Sequence, residues 1–324
     1  MTDDPPLGTP VLELRGVNKS FGAVHVLHDV DFAANAGEVT ALVGDNGAGK
    51  STLIKCIGGI HPLDTGDYYF HGKPVSVRNP KDAGALGIEI VYQDLALCDN
   101  LDIVQNMFLG RERRGRFALD EASMEKAAAK TLAGLSVRTV TSLRQRVSSL
   151  SGGQRQTVAI AKAVLWNSAV VILDEPTAAL GVAQTAQVLD LVRRLADSGL
   201  AVVLISHNMR DVMQVSDRIC ALYLGQVAAD VRAADVTIPD VIQMITSGGA
   251  ARDAQGNGTA VAAVAAVAAG AAGAAGATVN ITKNVTDAGA PGEGAPGAAQ
   301  GSEAAGSEAA GSEAAAATTK GGAA

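Results

Sequence analysis

Val39-Thr40-Ala41-Leu42-Val43-Gly44-Asp45-Asn46-Gly47-Ala48-Gly49-Lys50-Ser51-Thr52 runs from a short apolar strand into a glycine-rich loop, and helical spacing follows from Lys50 to Ile57. Residues 44–51 fit the pattern G-x-x-x-x-G-K-[ST], and a strand before with a helix after is the context that pattern requires. The glycines let successive backbone N–H groups turn inward as a nest for phosphate oxygens. The positive end of the following helix adds to their field. Lys50 is expected to reach the β- and γ-phosphates and the Ser51 hydroxyl to ligate Mg²⁺, with Thr52 in the same cradle.

A second stretch, Val170-Val171-Ile172-Leu173-Asp174-Glu175, reads as a buried strand that ends in two carboxylates. Ligands of open α/β sheets bind at the carboxyl ends of the strands, so the pair is placed for chemistry. Asp174 suits Mg²⁺, and Glu175 suits orienting or deprotonating an attacking water. Strands ending in acids are common, and the pair gains meaning only downstream of a phosphate loop. Gln93 closes a strand over Ile88–Tyr92, and His207 follows the apolar run Val202–Ile205. An amide at Gln93 could contact Mg²⁺ or water, and an imidazole at His207 could touch a γ-phosphate. Taken alone, each is an ordinary loop residue.

Short β-branched runs alternate with helical stretches up to about Gly249, which predicts an α/β fold with a parallel sheet and helices on both faces. Strands are expected at Val39–Val43, Ile88–Tyr92, Val170–Leu173 and Ala201–Ile205, with a hairpin after Tyr68–Phe70. Helices are expected at Lys50–Ile57, Asp120–Leu135, Gln154–Trp166 and Gln184–Ala196, with Gly199 as a stop. Residues 1–10 read as a flexible acidic, proline-rich start and carry no secretory signal. From Ala250 to Ala324 alanine and glycine dominate, and Gly-Ser-Glu-Ala-Ala occurs three times between Gly301 and Ala315. Such a segment has little to bury against the entropy of ordering it, so it reads as a disordered tail.

The chain has 324 residues, 48% of them hydrophobic, and a net charge of −7. That balance gives no support for binding nucleic acid through a basic face. Cys56, Cys98 and Cys220 are widely spaced and show no C-x-x-C, as expected of reduced thiols. No run in residues 1–250 is long and apolar enough to span a bilayer.

Leu150-Ser151-Gly152-Gly153-Gln154 places a hydroxyl and two glycines before a helical run, an anion site by the same physics as the phosphate loop. This stretch resembles the signature motif of ATP-binding cassette (ABC) ATPases, and the resemblance extends over roughly Val11 to Ser247. It implies a P-loop NTPase cassette with a RecA-like parallel core, an antiparallel β subdomain and a helical subdomain at about 94–150, the cassette spanning 11–249. Gln93 and His207 then fall where the family carries its Q-loop and switch histidine, and Phe21 where an aromatic stacks on adenine. Ser151, Gly152, Gly153 and Gln154 of one copy would close over ATP held by Gly44–Thr52 of a second, giving a homodimer with two ATP and Mg²⁺.

Narrower similarity at GDNGAGKSTLIK, VYQDLALCDNLDIVQNMFLGRE and DEPTAALGV is to ATP-binding subunits of bacterial monosaccharide importers, the ribose, xylose and fructose group. The implied setting is the cytoplasmic face of the membrane, against two permease subunits and, indirectly, an extracytoplasmic sugar-binding protein. A soluble ABC ATPase not coupled to transport is the alternative. Two features depart from the common pattern. One cassette stands where many group members fuse two, and Gly181 replaces an Asp that many ABC proteins carry after the Walker B strand.

Overall fold

The computed structural model describes residues 10–135 and 142–248; the expected flexible start and disordered tail lie outside them, apart from Pro10. In chain order the elements are β1 (Pro10–Phe21), β2 (Val24–Asn35), β3 (Val39–Gly44), α1 (Lys50–Ile57), β4 (Thr65–Phe70), β5 (Lys73–Pro74), α2 (Pro80–Ala85), β6 (Ile88–Val91) and α3 (Ile103–Phe108). They continue as α4 (Glu121–Gly134), α5 (Gly152–Val164), β7 (Val170–Asp174), α6 (Val182–Asp197), β8 (Ala201–Ile205), α7 (Met209–Val215), β9 (Arg218–Tyr223), β10 (Gln226–Arg232) and α8 (Ile238–Ser247).

Six strands form the central sheet in the order β10-β9-β3-β8-β7-β6. The expected parallel sheet holds for five of them; β10 pairs antiparallel with β9 and gives the sheet one antiparallel edge. A second sheet, β2-β1-β4-β5, is antiparallel throughout. Its first strand bends at Gly16, where the pairing with β2 shifts register between Leu14 and Val17.

Strand periodicity splits the central sheet between two cores. Val171 and Leu173 of β7, with Val202 and Leu204 of β8, pack against α3, α4, α5 and α6. The alternate residues Val170, Ile172, Ala201, Val203 and Ile205 pack on the other side with α1 and the antiparallel sheet. Ala41, Val43, Ile219 and Ala221 join α7 and α8 in a third cluster. With both faces covered, β7 and β8 read as continuous apolar runs, as buried parallel strands do.

The helical block between β6 and β7 is fastened by one buried amide. Asn106 on α3 is fully buried; its Oδ1 accepts from Cys98 N at 2.7 Å, and its Nδ2 reaches the carbonyls of Cys98, Leu101 and Asp102. The loop so held pairs in turn with the segment before α5, through Val147 N to Leu101 O at 3.0 Å and Ser148 N to Asp99 O at 3.1 Å. Arg144 reinforces this block by donating to Glu121 and Glu125 of α4. Trp166 packs edge-on to Phe108.

Replacing Asn106 with Ala strips partners from several buried backbone groups, and about 3 kcal/mol of stability should be lost. Urea denaturation of the purified variant measures this directly; an unchanged midpoint would remove Asn106 from its fastening role.

Candidate functional site

β3 ends at Gly44 and α1 begins at Lys50, so the glycine-rich loop links the carboxyl end of the central strand to a helix N-terminus. Two glycines are sterically required. A Cβ at Gly44 (φ 155°) would lie 2.5 Å from the Leu222 carbonyl oxygen, and one at Gly49 (φ 105°) 2.8 Å from Leu27 Cδ2. Leu53 N donates to Gly49 O at 2.9 Å, which starts the helix at the end of the loop. Lys50 Nζ curls back to the Gly44 and Asp45 carbonyls at 2.6 and 3.0 Å. Burial lowers the Lys50 pKa, against the opposing pull of Glu175, Asp45 and Asp174.

A cavity of about 160 Å³ sits in this loop, lined by Val26 and by residues from Asp45 to Thr52. Val26 is a lining residue that the sequence reading misses, because only the folded β1–β2 hairpin brings it beside the loop. Two larger clefts, about 490 and 780 Å³, lie beside β4–β5 and around Asn35, Asp217 and Asp230. In the second, Arg218 is paired with Asp230 and Arg193 with Asp217, so its size alone does not mark it as a site. Phe21 stands at the end of β1, 43% exposed, edge-on to His61 with ring centroids 5.0 Å apart. Its pairing with Val24 puts it at the same hairpin end as Val26, neither in the core nor covered by it.

Asp174 is the last residue of β7, and burial followed by the Glu175 charge raises its pKa. Glu175 turns the chain out of the strand in a left-handed conformation (φ 50°) while its N–H donates to Ile205 O at 2.9 Å. The structure joins two expected residues directly here: His207 Nδ1 lies 2.8 Å from Glu175 Oε2. The histidine is 79% exposed and the glutamate 16%, so a partly buried carboxylate meets a solvent-facing imidazole. Gln93 lies two residues past β6, exposed at the same carboxyl edge of the sheet. Ser51, Asp174 and Gln93 supply a hydroxyl, a carboxylate and an amide oxygen. Among the described residues no group of three His, Cys, Asp or Glu is arranged to hold a metal by itself. That donor set fits Mg²⁺, which takes one or two carboxylates and completes its shell with phosphate oxygens and water.

The signature stretch has a local reason as well. Ser151 caps α5, which begins at Gly152, two residues before the expected Gln154. Ser151 Oγ accepts from Gln154 N at 3.4 Å and Gln154 Oε1 from Ser151 N at 2.9 Å, a capping box written as S-x-x-Q. The two glycines make room: a Cβ at Gly152 would meet Leu180 Cδ2 at 3.1 Å, and one at Gly153 the Gln184 side chain at 3.1 Å. No residue from 151–154 lines the cavity at the phosphate loop. Gly181, exposed at the N-cap of α6, provides neither a cap nor a carboxylate.

The sequence profile described as ABC transporter matches residues 27–178. A xylose/arabinose import ATP-binding protein of Sulfolobus acidocaldarius is 45% identical over 237 residues, which are 73% of this chain and 94% of that protein. The chain belongs to the ABC transporter family. A fructose import ATP-binding protein of Rhizobium meliloti is 46% identical over 244 residues, covering 73% of this chain and 94% of the relative. A ribose import ATP-binding protein of Escherichia coli O157:H7 is 37% identical over 237 residues but is covered only to 46% of its length, against 73% of this chain. Among solved structures, a nucleotide-free ATP-binding cassette from an ABC transporter superposes with a TM-score of 0.63 at 27% identity. The match covers 69% of this chain and 91% of that one. The cassette fold expected from the ABC resemblance is therefore the fold observed.

The raised pKa of Asp174 sets a trade between stability and function. A carboxylate whose folded pKa lies above its unfolded value costs folding stability once it is ionised, at pH above both values. Asp174→Asn should therefore raise the thermal midpoint of the nucleotide-free protein at neutral pH by a few degrees while abolishing Mg²⁺-dependent hydrolysis. Calorimetry in a chelator checks this, and a lowered midpoint would contradict it.

Proposed function

We propose that this ABC ATPase energises import of a monosaccharide, working as a pair of identical subunits on the cytoplasmic face of a membrane. The observation that carries the hydrolytic reading is the convergence of Lys50, Asp174, Glu175 and His207 at one sheet edge, with Glu175 and His207 in contact. The sugar follows from the import proteins for xylose or arabinose, fructose and ribose that this chain resembles. Among the described residues no helix is long and apolar enough to cross a membrane. Translocation would fall to two permease subunits. Their supply would come from an extracytoplasmic sugar-binding protein. The block at about 94–150 would receive the permeases, since it joins Gln93 at one end to Ser151 at the other.

In the proposed reaction the backbone nest of residues 44–49 and Lys50 hold the β- and γ-phosphates of ATP. Ser51, Asp174 and Gln93 would hold Mg²⁺, which neutralises charge on the phosphate oxygens when bound. Phe21 offers its ring to adenine. Glu175 orients a water and takes its proton as oxygen attacks the γ-phosphorus. The bond to the bridging oxygen breaks, and ADP and phosphate are released. His207 holds the Glu175 carboxylate and reaches toward the γ-phosphate. Ser151 to Gln154 would close over the ATP of the second copy, a reading supported by the absence of all four from the lining of their own subunit's phosphate-loop cavity.

Glu175→Gln should slow hydrolysis on the order of 100-fold or more and leave MgATP binding intact. In that variant MgATP should drive a stable dimer on gel filtration, and adding Ser151→Ala should weaken it. Wild-type turnover by Glu175→Gln would refute the assigned base. Uptake of radiolabelled monosaccharides by a strain lacking the gene tests the transport assignment, and undiminished uptake of every sugar tried would overturn it.

A further inference from the structure

We propose that Thr177 and Asp211 are positioning residues: their hydrogen bond latches the segment after Glu175 to the helix after His207 and so keeps these two groups in register. The inference rests on the hydrolytic reading above and adds residues that reading does not use. The segment from Glu175 to Leu180 links β7 to α6 and is bent sharply. Glu175 (φ 50°) and Ala179 (φ 59°) are both non-glycine residues in the left-handed region. L residues stay there only where the surroundings over-determine them.

Within the segment the backbone bonds are local, Ala178 N to Glu175 O at 3.1 Å and Leu180 N to Thr177 O at 3.3 Å. The tie outward is the Thr177 hydroxyl, which donates to Asp211 Oδ2 at 2.7 Å. Asp211 is 6% exposed and lies in the first turn of α7, whose N-cap, Asn208, directly follows His207. A buried carboxylate holds a hydroxyl donor tightly, because a charge-assisted bond is strong and an unpaired buried charge is costly.

Three ties therefore join the same two pieces of chain: Glu175 N to Ile205 O, His207 to the Glu175 carboxylate, and Thr177 to Asp211. The first is a sheet bond and fixes only the strand ends. The second has one partner that is 79% exposed, with little packing to fix it. The third ties Thr177, beyond the turn, to the first turn of α7. Leu180 extends the connection, since its Cδ2 fills the space where a Cβ at Gly152 would lie 3.1 Å away. Packing of Leu180 on Gly152 thus connects this segment to the signature helix of its own subunit.

The test uses the purified full chain. Thr177→Val removes the donor, and Thr177→Ser retains it. Thr177→Val should lower kcat by roughly tenfold to a hundredfold, the loss expected for a hydrogen bond to a buried charge. MgATP affinity should stay within about twofold, the pattern of a residue that acts on the reacting geometry rather than on uniform binding. Thr177→Ser should recover most of the rate. Without nucleotide, hydrogen exchange at the Ala178 and Leu180 amides should quicken about tenfold in Thr177→Val while β7 amides are unchanged, a readout independent of turnover. Wild-type kcat and exchange in Thr177→Val would overturn the proposal, as would a loss that serine fails to restore. If Glu175→Gln also retained full turnover, the hydrolytic assignment would fall, and the exchange result would still decide the latch.

Discussion

Strands β3, β7 and β8 have no face open to water, and most of the rest of the molecule follows from that. A parallel strand covered by helices on one side and a second sheet on the other must be apolar from end to end. Its only outlets for polar side chains are its termini. Gly44, Asp174 and His207 each stand at or just past the carboxyl end of one of these strands, and Gln93 does so for β6. The antiparallel edge at β10 leaves this arrangement untouched, because it lies beyond β9 on the side away from the carboxylates.

Concentrating charge at one edge has an electrostatic cost. Asp174 is half-buried beside Glu175, which makes its ionised form less stable in the fold, and Lys50 is partly desolvated nearby. The two carboxylates and the ammonium act on one another at an edge that the buried apolar strands position. A nucleotide with its metal, bound as proposed, would bring both anionic oxygens and a cation to these opposed charges.

The signature motif shows one stretch of sequence answering to two demands. As local structure, Ser151 and Gln154 cap a helix reciprocally, and the glycines admit Leu180 and Gln184. As chemistry, the same cap leaves a hydroxyl and helix N–H groups at an exposed end, where the proposed pairing would bring an anion from another molecule. Ser151 and Gly152 are exposed and Gly153 is buried, so the first two face outward while the third supports them.

Lys50–Ile57 and Ala201–Ile205 coincide with the elements their sequence implies, because Leu53, Ile54 and Ile57 recur at helical spacing and Ala201–Ile205 is an unbroken apolar run. β1 and β2 escape such a reading: the bulge at Gly16 breaks the alternation, and β1 also pairs with β4 some fifty residues away. Phosphate-loop geometry, the acidic strand end and the helix cap are local chemistry, and residue types at fixed spacing are enough to write them. The contact of His207 with Glu175, the bond from Thr177 to Asp211 and the place of Val26 beside the loop join segments between 20 and 35 residues apart. No local preference encodes those distances. They are decided when burial of both faces of the central sheet brings the strand ends together.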